Sequence, residues 1–96
     1  MIYHYQHIQI PEAVNAKVKI PEDSEIVKYL VIPSNVGVDH LWVVVRVNQE
    51  SDGYDTWQFS TYIHGLDMNN EGREEYIDTF LVNRQLLHLY GYKTFD

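Results

Sequence analysis

The sequence predicts a mostly β fold, a small antiparallel sandwich or open barrel of six or seven short strands. Apolar and polar residues alternate with a period of two over residues 14–20 and 57–64, the pattern of strands with one solvated face. The pairs Ile10-Pro11, Ile20-Pro21 and Ile32-Pro33 each close an apolar run, and proline is confined to strand ends, edges and turns. Their spacing of 10 and 12 residues is typical of short strands in a β domain.

The other elements follow from local composition. Residues 41–47 are apolar on both faces except at Arg46, which indicates the central and most buried strand. A carboxylate at Val44 is therefore expected to unfold the protein. Residues 48–55 contain Ser51-Asp52-Gly53 and predict the turn that leads to the strand at 57–64. Residues 2–10 and 25–32 are the remaining strands predicted before the last third of the chain.

The last third of the sequence fits two structures. A helix over residues 73–90 would place several apolar side chains on one face and end at Gly91, which would make the fold α+β. A β-hairpin would instead pair residues 76–82 with residues 86–92 through a turn at Asn83-Arg84. Residues 76–82 are rich in β-forming side chains, but local pattern alone leaves both structures open.

The order of short motifs along the chain carries a resemblance. The motifs are Ile2-Tyr3-His4-Tyr5, Val18-Lys19-Ile20-Pro21, Leu41-Trp42, residues 59–65, Tyr76-Ile77-Asp78-Thr79 and His88-Leu89-Tyr90. Together they resemble a family of small uncharacterised proteins from phages and bacterial genomes. The resemblance implies a hairpin in the last third and a small phage accessory protein. The family's Gly-Thr-Gly-His segment is Tyr62-Ile63-His64-Gly65 here, and Asp78 replaces a glycine, so an activity tied to that segment's histidine would not carry over.

Length, charge and cysteine content set limits on organisation and partners. The 96 residues predict one domain, residues 1–96. The absence of cysteine excludes disulfides and thiolate chemistry and favours a reducing setting. The longest apolar run, residues 41–45, is too short to cross a bilayer. We therefore expect a soluble protein in the cytoplasm, that of the host cell if the protein is phage-encoded.

A net charge of −7, from 14 acidic and 7 basic residues, weighs against two classes of partner. Nucleic acids and anionic membranes are both bound through clustered lysine and arginine, and the basic residues here are few and scattered. We expect no nucleic-acid partner and no membrane partner.

Metal binding is considered at two places. Asp67, Asn69, Glu71, Gly72 and Asp78 occupy positions of a calcium-binding EF-hand loop. Glutamate is too long for the fifth position of that loop, and the preceding segment alternates as a strand where a helix is required. The five histidines, at positions 4, 7, 40, 64 and 88, have no spacing that directs three or four of them to one ion. We expect neither a metal nor a cofactor.

Catalytic motifs are not found. The four serines lie in no glycine-flanked nucleophile elbow, and no glycine-rich loop could hold a phosphate. The carboxylates around Glu74, Glu75 and Asp78 adjoin Arg73 and are typical of a solvated face rather than of a buried general acid. We expect a protein that is not an enzyme.

The aromatic content is the main functional signal. Eight tyrosines, two tryptophans and three phenylalanines are present. Trp42, Trp57 and Phe59 are assigned to the core, whereas tyrosine is favoured at binding surfaces. His64 and His88 could meet across strands. The predicted binding residues are Tyr3, Tyr5, Tyr54, Tyr62, His64, His88, Tyr90 and Tyr92.

The function that follows is that of a non-catalytic binding protein. Its partner is a host or phage protein, or a second copy bound through an exposed sheet edge. One alternative is a small-ligand or nucleotide-signal binding protein with a pocket near His64 and His88, where Arg46, Arg73 and Arg84 could converge. The other alternative is an inhibitor whose acidic surface mimics DNA.

Overall fold

The computed structural model of the protein describes residues 2–66 and 74–94. These residues form seven β-strands and no helix, so no described segment provides a helix that could span a membrane. The mostly β prediction is confirmed. The strands are β1 (Tyr3–Ile10), β2 (Ala16–Pro21), β3 (Glu25–Ile32), β4 (His40–Asn48), β5 (Tyr54–Ile63), β6 (Glu75–Val82) and β7 (Gln85–Lys93).

The strands form two antiparallel sheets. The three-stranded sheet has the order β1-β4-β3, and the four-stranded sheet has the order β2-β5-β7-β6. β4 is central in the first sheet, as its two apolar faces predict. The chain passes between the sheets after β1, after β2 and after β4. The arrangement is the predicted sandwich and not a closed barrel.

The core lies between the two sheets and follows from the alternation within strands. Leu41, Val43 and Val45 of β4 are fully buried and face Phe59 and Leu89 of the other sheet within one cluster. Full burial of an aliphatic or aromatic side chain of this size contributes about 1.5–3 kcal/mol. Alternate residues of β4, including Trp42, point away from this cluster. The prediction that Trp42 belongs to the core is therefore wrong.

Aromatic rings fill the middle of the core. Trp57 stacks on Phe59 with 5.8 Å between ring centroids, and Tyr29 meets Phe59 edge-on at 6.2 Å. Burial raises the pKa of Tyr29 from 10.0 to about 12, because a tyrosinate would lose its hydration there. The hydroxyl of Tyr29 is therefore neutral at ordinary pH.

The three prolines lie where the sequence predicts strand ends. Pro11 and Pro33 follow β1 and β3, and Pro21 is the last residue of β2, an edge strand. The predicted start of β2 is wrong by two residues. Asn15 has a φ of 59° and its N–H donates to Ser60 Oγ at 2.8 Å, so Val14 lies outside the ladder and is exposed.

Residues 75–93 form a β-hairpin, so the alternative of a helix over residues 73–90 is wrong. β6 and β7 pair from Val82↔Gln85 outward, which leaves a two-residue turn at Asn83 and Arg84. Their φ angles of 51° and 68° are those of a type I′ turn, whose twist matches that of the paired strands. β-forming residues on both sides of this turn outweigh the partial helical periodicity.

Asn83 also connects the two sheets. Its Oδ1 accepts the N–H of Asp39 at 2.8 Å, and its Nδ2 donates to the carbonyl of Asp39 at 3.1 Å. Asp39 directly precedes β4 in the three-stranded sheet. The turn of the β6–β7 hairpin is therefore attached to the entry of the central strand of the opposite sheet.

Arg84→Gly is expected to raise the free energy of unfolding by about 1 kcal/mol. A left-handed backbone costs an L-residue roughly 1–2 kcal/mol, and glycine's larger loss of chain entropy offsets only part of that gain. The melting temperature should rise by about 4–8 °C in a domain of this size. Asn83→Gly is the matched control and should lower stability, because the same backbone relief comes with the loss of both bonds to Asp39. A lower melting temperature for Arg84→Gly would contradict the turn geometry.

Candidate binding surface

The outward face of the four-stranded sheet gathers five of the eight predicted binding residues. Phe59 and Leu89 point inward to the core, so their neighbours in β5 and β7 point outward. The register pairs Tyr62 with His88, Ser60 with Tyr90 and Gln58 with Tyr92. His64 follows the end of β5, and its N–H donates to the carbonyl of Leu86 at 2.9 Å.

His64 and His88 are in direct contact, as the sequence allowed without requiring it. Their Nδ1 and Nε2 atoms lie 3.0 Å apart, and the ring centroids are separated by 5.2 Å. Such a hydrogen bond needs a proton on one of these nitrogens and a lone pair on the other. The contact therefore fixes the two rings relative to each other.

Thr79 and Tyr76 of β6 extend this contact into a chain. Thr79 Oγ1 lies 2.8 Å from His88 Nδ1, and the hydroxyl of Tyr76 lies 2.6 Å from Thr79 Oγ1. Four side chains on three structural elements, in the order His64, His88, Thr79 and Tyr76, are thus joined by three hydrogen bonds. Neither Thr79 nor Tyr76 was among the predicted binding residues.

Tyr90 connects this chain to the other aromatic residues of the face. Its ring makes edge contacts with Tyr62 at 5.6 Å and with Tyr76 at 5.5 Å between centroids, a geometry that contributes beyond buried area alone. Tyr62 is buried, with 7% exposure, and its hydroxyl has no hydrogen-bond partner among the described residues. We call the set Tyr62, His64, Tyr76, Thr79, His88 and Tyr90 the tyrosine–histidine cluster.

A β-bulge explains why Tyr76 was not among the binding residues predicted from the sequence. Near the turn at residues 83–84, the register pairs Thr79 with His88. If this register continued along the strand, Tyr76 would lie opposite Gly91 and would point towards the core. The register shifts between Tyr76 and Asp78, so that Tyr76 pairs with Tyr90 instead. The extra residue turns Ile77 into the core and Tyr76 outward. A bulge at this place has no signal in the hydrophobic pattern.

Two leucines continue the surface beside the cluster. Leu81 and Leu86 are directly paired across β6 and β7, with exposures of 64% and 44%. They lie on the outward face, because Phe80 and Leu87 of the neighbouring pair pack inward. Tyr76 is also exposed, at 55%. Exposed apolar area therefore adjoins an ordered polar chain.

The other predicted binding residues lie elsewhere. Tyr3 and Tyr5 belong to β1 on the outward face of the three-stranded sheet, the side of the molecule opposite the cluster. The guanidinium of Arg46 lies 4.9 Å from the centroid of Tyr3 and bonds Glu25 at 2.6 Å. Tyr54 begins β5, at the other end of that strand from His64. The eight residues do not form one patch.

A cavity of about 420 Å³ is found near Tyr54 and not near His64 and His88. Its lining includes His4 and Gln6 of β1, Asn48 and Asp52. The ten residues of β5 separate it from the histidine pair by roughly 30 Å. This cavity is therefore not the pocket that the ligand-binding alternative predicted near His64 and His88.

Arg46 and Arg84 do not converge either. Arg46 pairs with Glu25 near the end of β4, whereas Arg84 adjoins Asn83, which binds Asp39 at the start of β4. Arg73, the third arginine of that alternative, lies outside the described residues. Arg46 and Arg84 therefore do not form the basic group that the alternative predicted.

Within residues 2–66 and 74–94, no three histidine or acidic side chains come together in a way that could hold a metal ion. The EF-hand-like segment begins at Asp67, and residues 67–73 lie outside the described residues.

Comparison of the chain with family models, with curated proteins and with solved structures gave no match.

Proposed function

We propose that this protein is a non-catalytic binding protein that captures another protein through the tyrosine–histidine cluster and the adjacent leucine pair. The observation that carries the proposal is the hydrogen-bonded chain that ends at an exposed tyrosine, Tyr76. The resemblance to small phage proteins makes a host or phage protein the first class of partner to test.

The chain of hydrogen bonds supports binding because it orders the surface in advance. Immobilising a flexible side chain on association costs about 0.5–1.5 kcal/mol, and a surface that is ordered beforehand avoids that loss. Tyr76 is held at its hydroxyl by Thr79 and at its ring by Tyr90. An exposed aromatic side chain with two internal contacts is suited to bind a partner without further ordering.

The chemical character of the surface also fits a protein partner. The centres of protein interfaces are rich in tyrosine and poor in charged residues. The tyrosine–histidine cluster contains three tyrosines and no lysine, arginine, aspartate or glutamate. Leu81 and Leu86 add exposed aliphatic area on one side.

The same side chains can be compared with a catalytic triad. The hydroxyl of Thr79 would correspond to the nucleophile, the imidazole of His88 to the base and the imidazole of His64 to the group that orients the base. Thr79 Oγ1, however, is also bonded to the hydroxyl of Tyr76, and the backbone N–H of Thr79 donates to Asp78 Oδ1 at 2.7 Å. A backbone N–H engaged in this way does not face a substrate, which favours binding over acyl transfer.

A second candidate function is the binding of a small polar ligand in the cavity. Its volume of about 420 Å³ lies within the range of small-molecule sites. His4, Gln6, Asn48, Asp52 and Tyr54 provide hydrogen-bond donors and acceptors along its wall. This candidate uses only one predicted binding residue, Tyr54.

The test compares variants on the two outward faces for capture of a protein from a bacterial lysate. Tyr76→Ala and Leu86→Lys alter the proposed surface, and Tyr5→Ala is the matched control because it removes an exposed tyrosine from the opposite face. We expect Tyr76→Ala to keep its fold and to weaken binding of the captured protein by about 30-fold, the effect of a hot-spot residue. Circular dichroism and thermal unfolding establish the fold first.

Two results would contradict the proposal. If Tyr76→Ala and Leu86→Lys both captured the partner as well as the parent protein does, the tyrosine–histidine cluster would not be the binding surface. Stabilisation of the parent protein against heat by a small nucleotide, lost in Tyr54→Ala, would favour the cavity as the functional site.

A further inference from the structure

The four edges of the two sheets differ in how they are protected against pairing with another chain. β2 carries Lys17, Lys19 and Pro21. β3 contains a register shift between Ile26 and Lys28. Lysine, proline and bulges on an edge strand are the devices by which proteins prevent pairing between molecules.

The edge of β6 is protected in the same manner. Its register shifts between Tyr76 and Asp78, and Glu75 and Asp78 place two carboxylates along the strand. A second chain that approached this edge would meet a twisted backbone and negative charge.

β1 is the edge strand that has none of these devices. Its eight residues, Tyr3–Ile10, include no lysine, arginine, aspartate, glutamate, proline or glycine. Its pairing with β4 runs from Tyr3↔Asn48 to Ile10↔Leu41 without a register shift. The strand is therefore long and regular, and it carries none of the charged side chains that protect the other edges.

The backbone of β1 also presents hydrogen-bonding groups on its outer side. The carbonyl of Ile2 accepts the N–H of Gln49 at 3.0 Å, which extends the register of β1 and β4 by one pair. Because bonded and non-bonded pairs alternate in an antiparallel ladder, the even-numbered residues of β1 bond to β4. The backbone groups of Tyr5, His7 and Gln9 then point away from β4.

We infer that β1 pairs antiparallel with β1 of a second copy of this chain, which joins two three-stranded sheets into one sheet of six strands. A two-fold axis brings the same segment to both sides of such an interface. Each copy has a net charge of −7, and β1 offers an edge without an acidic side chain where two acidic copies can meet. This contact is independent of the tyrosine–histidine cluster on the opposite side of the molecule.

We place Gln6 at the two-fold axis, because this register overlaps residues 2–10 in full and so includes the pair that Ile2 adds to the ladder. The backbone N–H and C=O groups that point away from β4 must pair with the equivalent groups of the second copy. This register meets that condition, because it places Tyr5 opposite His7 of the second copy and His7 opposite Tyr5. Gln6 then faces its own equivalent in a non-bonded pair, where Cα atoms are about 4.5 Å apart. That separation is within the range of a disulfide bond.

The first experiment measures association by analytical ultracentrifugation over a wide concentration range. We expect a monomer–dimer equilibrium for the parent protein. Tyr5→Lys adds charge to the edge, and His7→Pro removes an outward N–H. Each should weaken dimerisation by about tenfold or more while the thermal unfolding of the monomer is kept. Leu81→Lys on β6 is the matched control and should leave dimerisation unchanged.

The second experiment uses the absence of cysteine from the chain. Gln6→Cys should form a disulfide-linked dimer under mild oxidation, whereas Gln58→Cys, on the outward face of the other sheet, should not. A parent protein that stays monomeric, or a dimer that survives both Tyr5→Lys and His7→Pro, would overturn the inference. A dimer that Gln6→Cys does not cross-link would overturn the proposed register.

Discussion

Val43→Asp is expected to leave the protein unfolded. Val43 is fully buried in the central strand β4 and pairs with Ile8 on one side and Tyr29 on the other. A carboxylate without a partner in this position costs several kcal/mol, which is comparable to the whole stability of a small domain. The variant should lack the cooperative thermal transition of the parent protein, as followed by circular dichroism.

Two other aspartate substitutions serve as controls for Val43→Asp. Lys17→Asp on the exposed side of β2 should remain folded. The structure revises the expectation for Val44→Asp: this variant should be less damaging than Val43→Asp, because Val44 points away from the core cluster with 8% exposure and pairs with His7 and Lys28. A folded Val43→Asp protein, or equal damage at residues 43 and 44, would contradict the assignment of the core face.

Gly91→Ala is expected to lower the free energy of unfolding by about 1–3 kcal/mol through overpacking. A Cβ atom at residue 91 would lie 2.6 Å from Phe59 Cδ1 and 3.0 Å from Ile77 Cδ1. Phe59 is fully buried and stacked on Trp57, so its ring cannot move aside without disturbing the core. Chemical denaturation measures the change directly.

The cause of the Gly91→Ala effect can be isolated by combining it with Phe59→Leu. A smaller side chain opposite residue 91 leaves room for the new methyl group, so the two substitutions should be coupled. The double variant should be more stable than the sum of the single changes predicts. Simple additivity would show that the contact with Phe59 is not the source of the destabilisation.

The sequence predicted the strands well because their alternation is strong and their ends are marked by proline. β3 was predicted at its observed bounds, and the ends of β1, β4, β6 and β7 differ by at most one residue from the prediction. β5 begins at Tyr54, three residues before its predicted start and within the turn predicted over residues 48–55. Asn83 and Arg84 form the turn that the hairpin alternative predicted. The pattern did not distinguish a hairpin from a helix over residues 73–90, since the apolar residues there fit the strand period and the helix period only in part.

The candidate site was predictable only in part, because it depends on register. Alternation places Tyr62, His64, His88 and Tyr90 on outward faces, but their contact requires the pairing of β5 with β7. Tyr76 requires in addition the bulge beside Asp78, which reverses the direction of its side chain. The sequence also placed Tyr3 and Tyr5 with the other tyrosines, because it does not show which sheet each strand joins.

The pairing of β1 with β4 and of β2 with β5 has a consequence for how the chain folds. Even the closest pairs, Ile10 with Leu41 and Pro21 with Tyr54, are separated by 31 and 33 residues. Such distant pairings slow folding, because the entropy of closing long loops is lost before contacts form. At a synthesis rate of about 5–20 residues per second, the two N-terminal strands leave the ribosome seconds before their partners. We therefore expect β1 to remain unpaired until β4 has been synthesised, and β2 to remain unpaired until β5 has been synthesised.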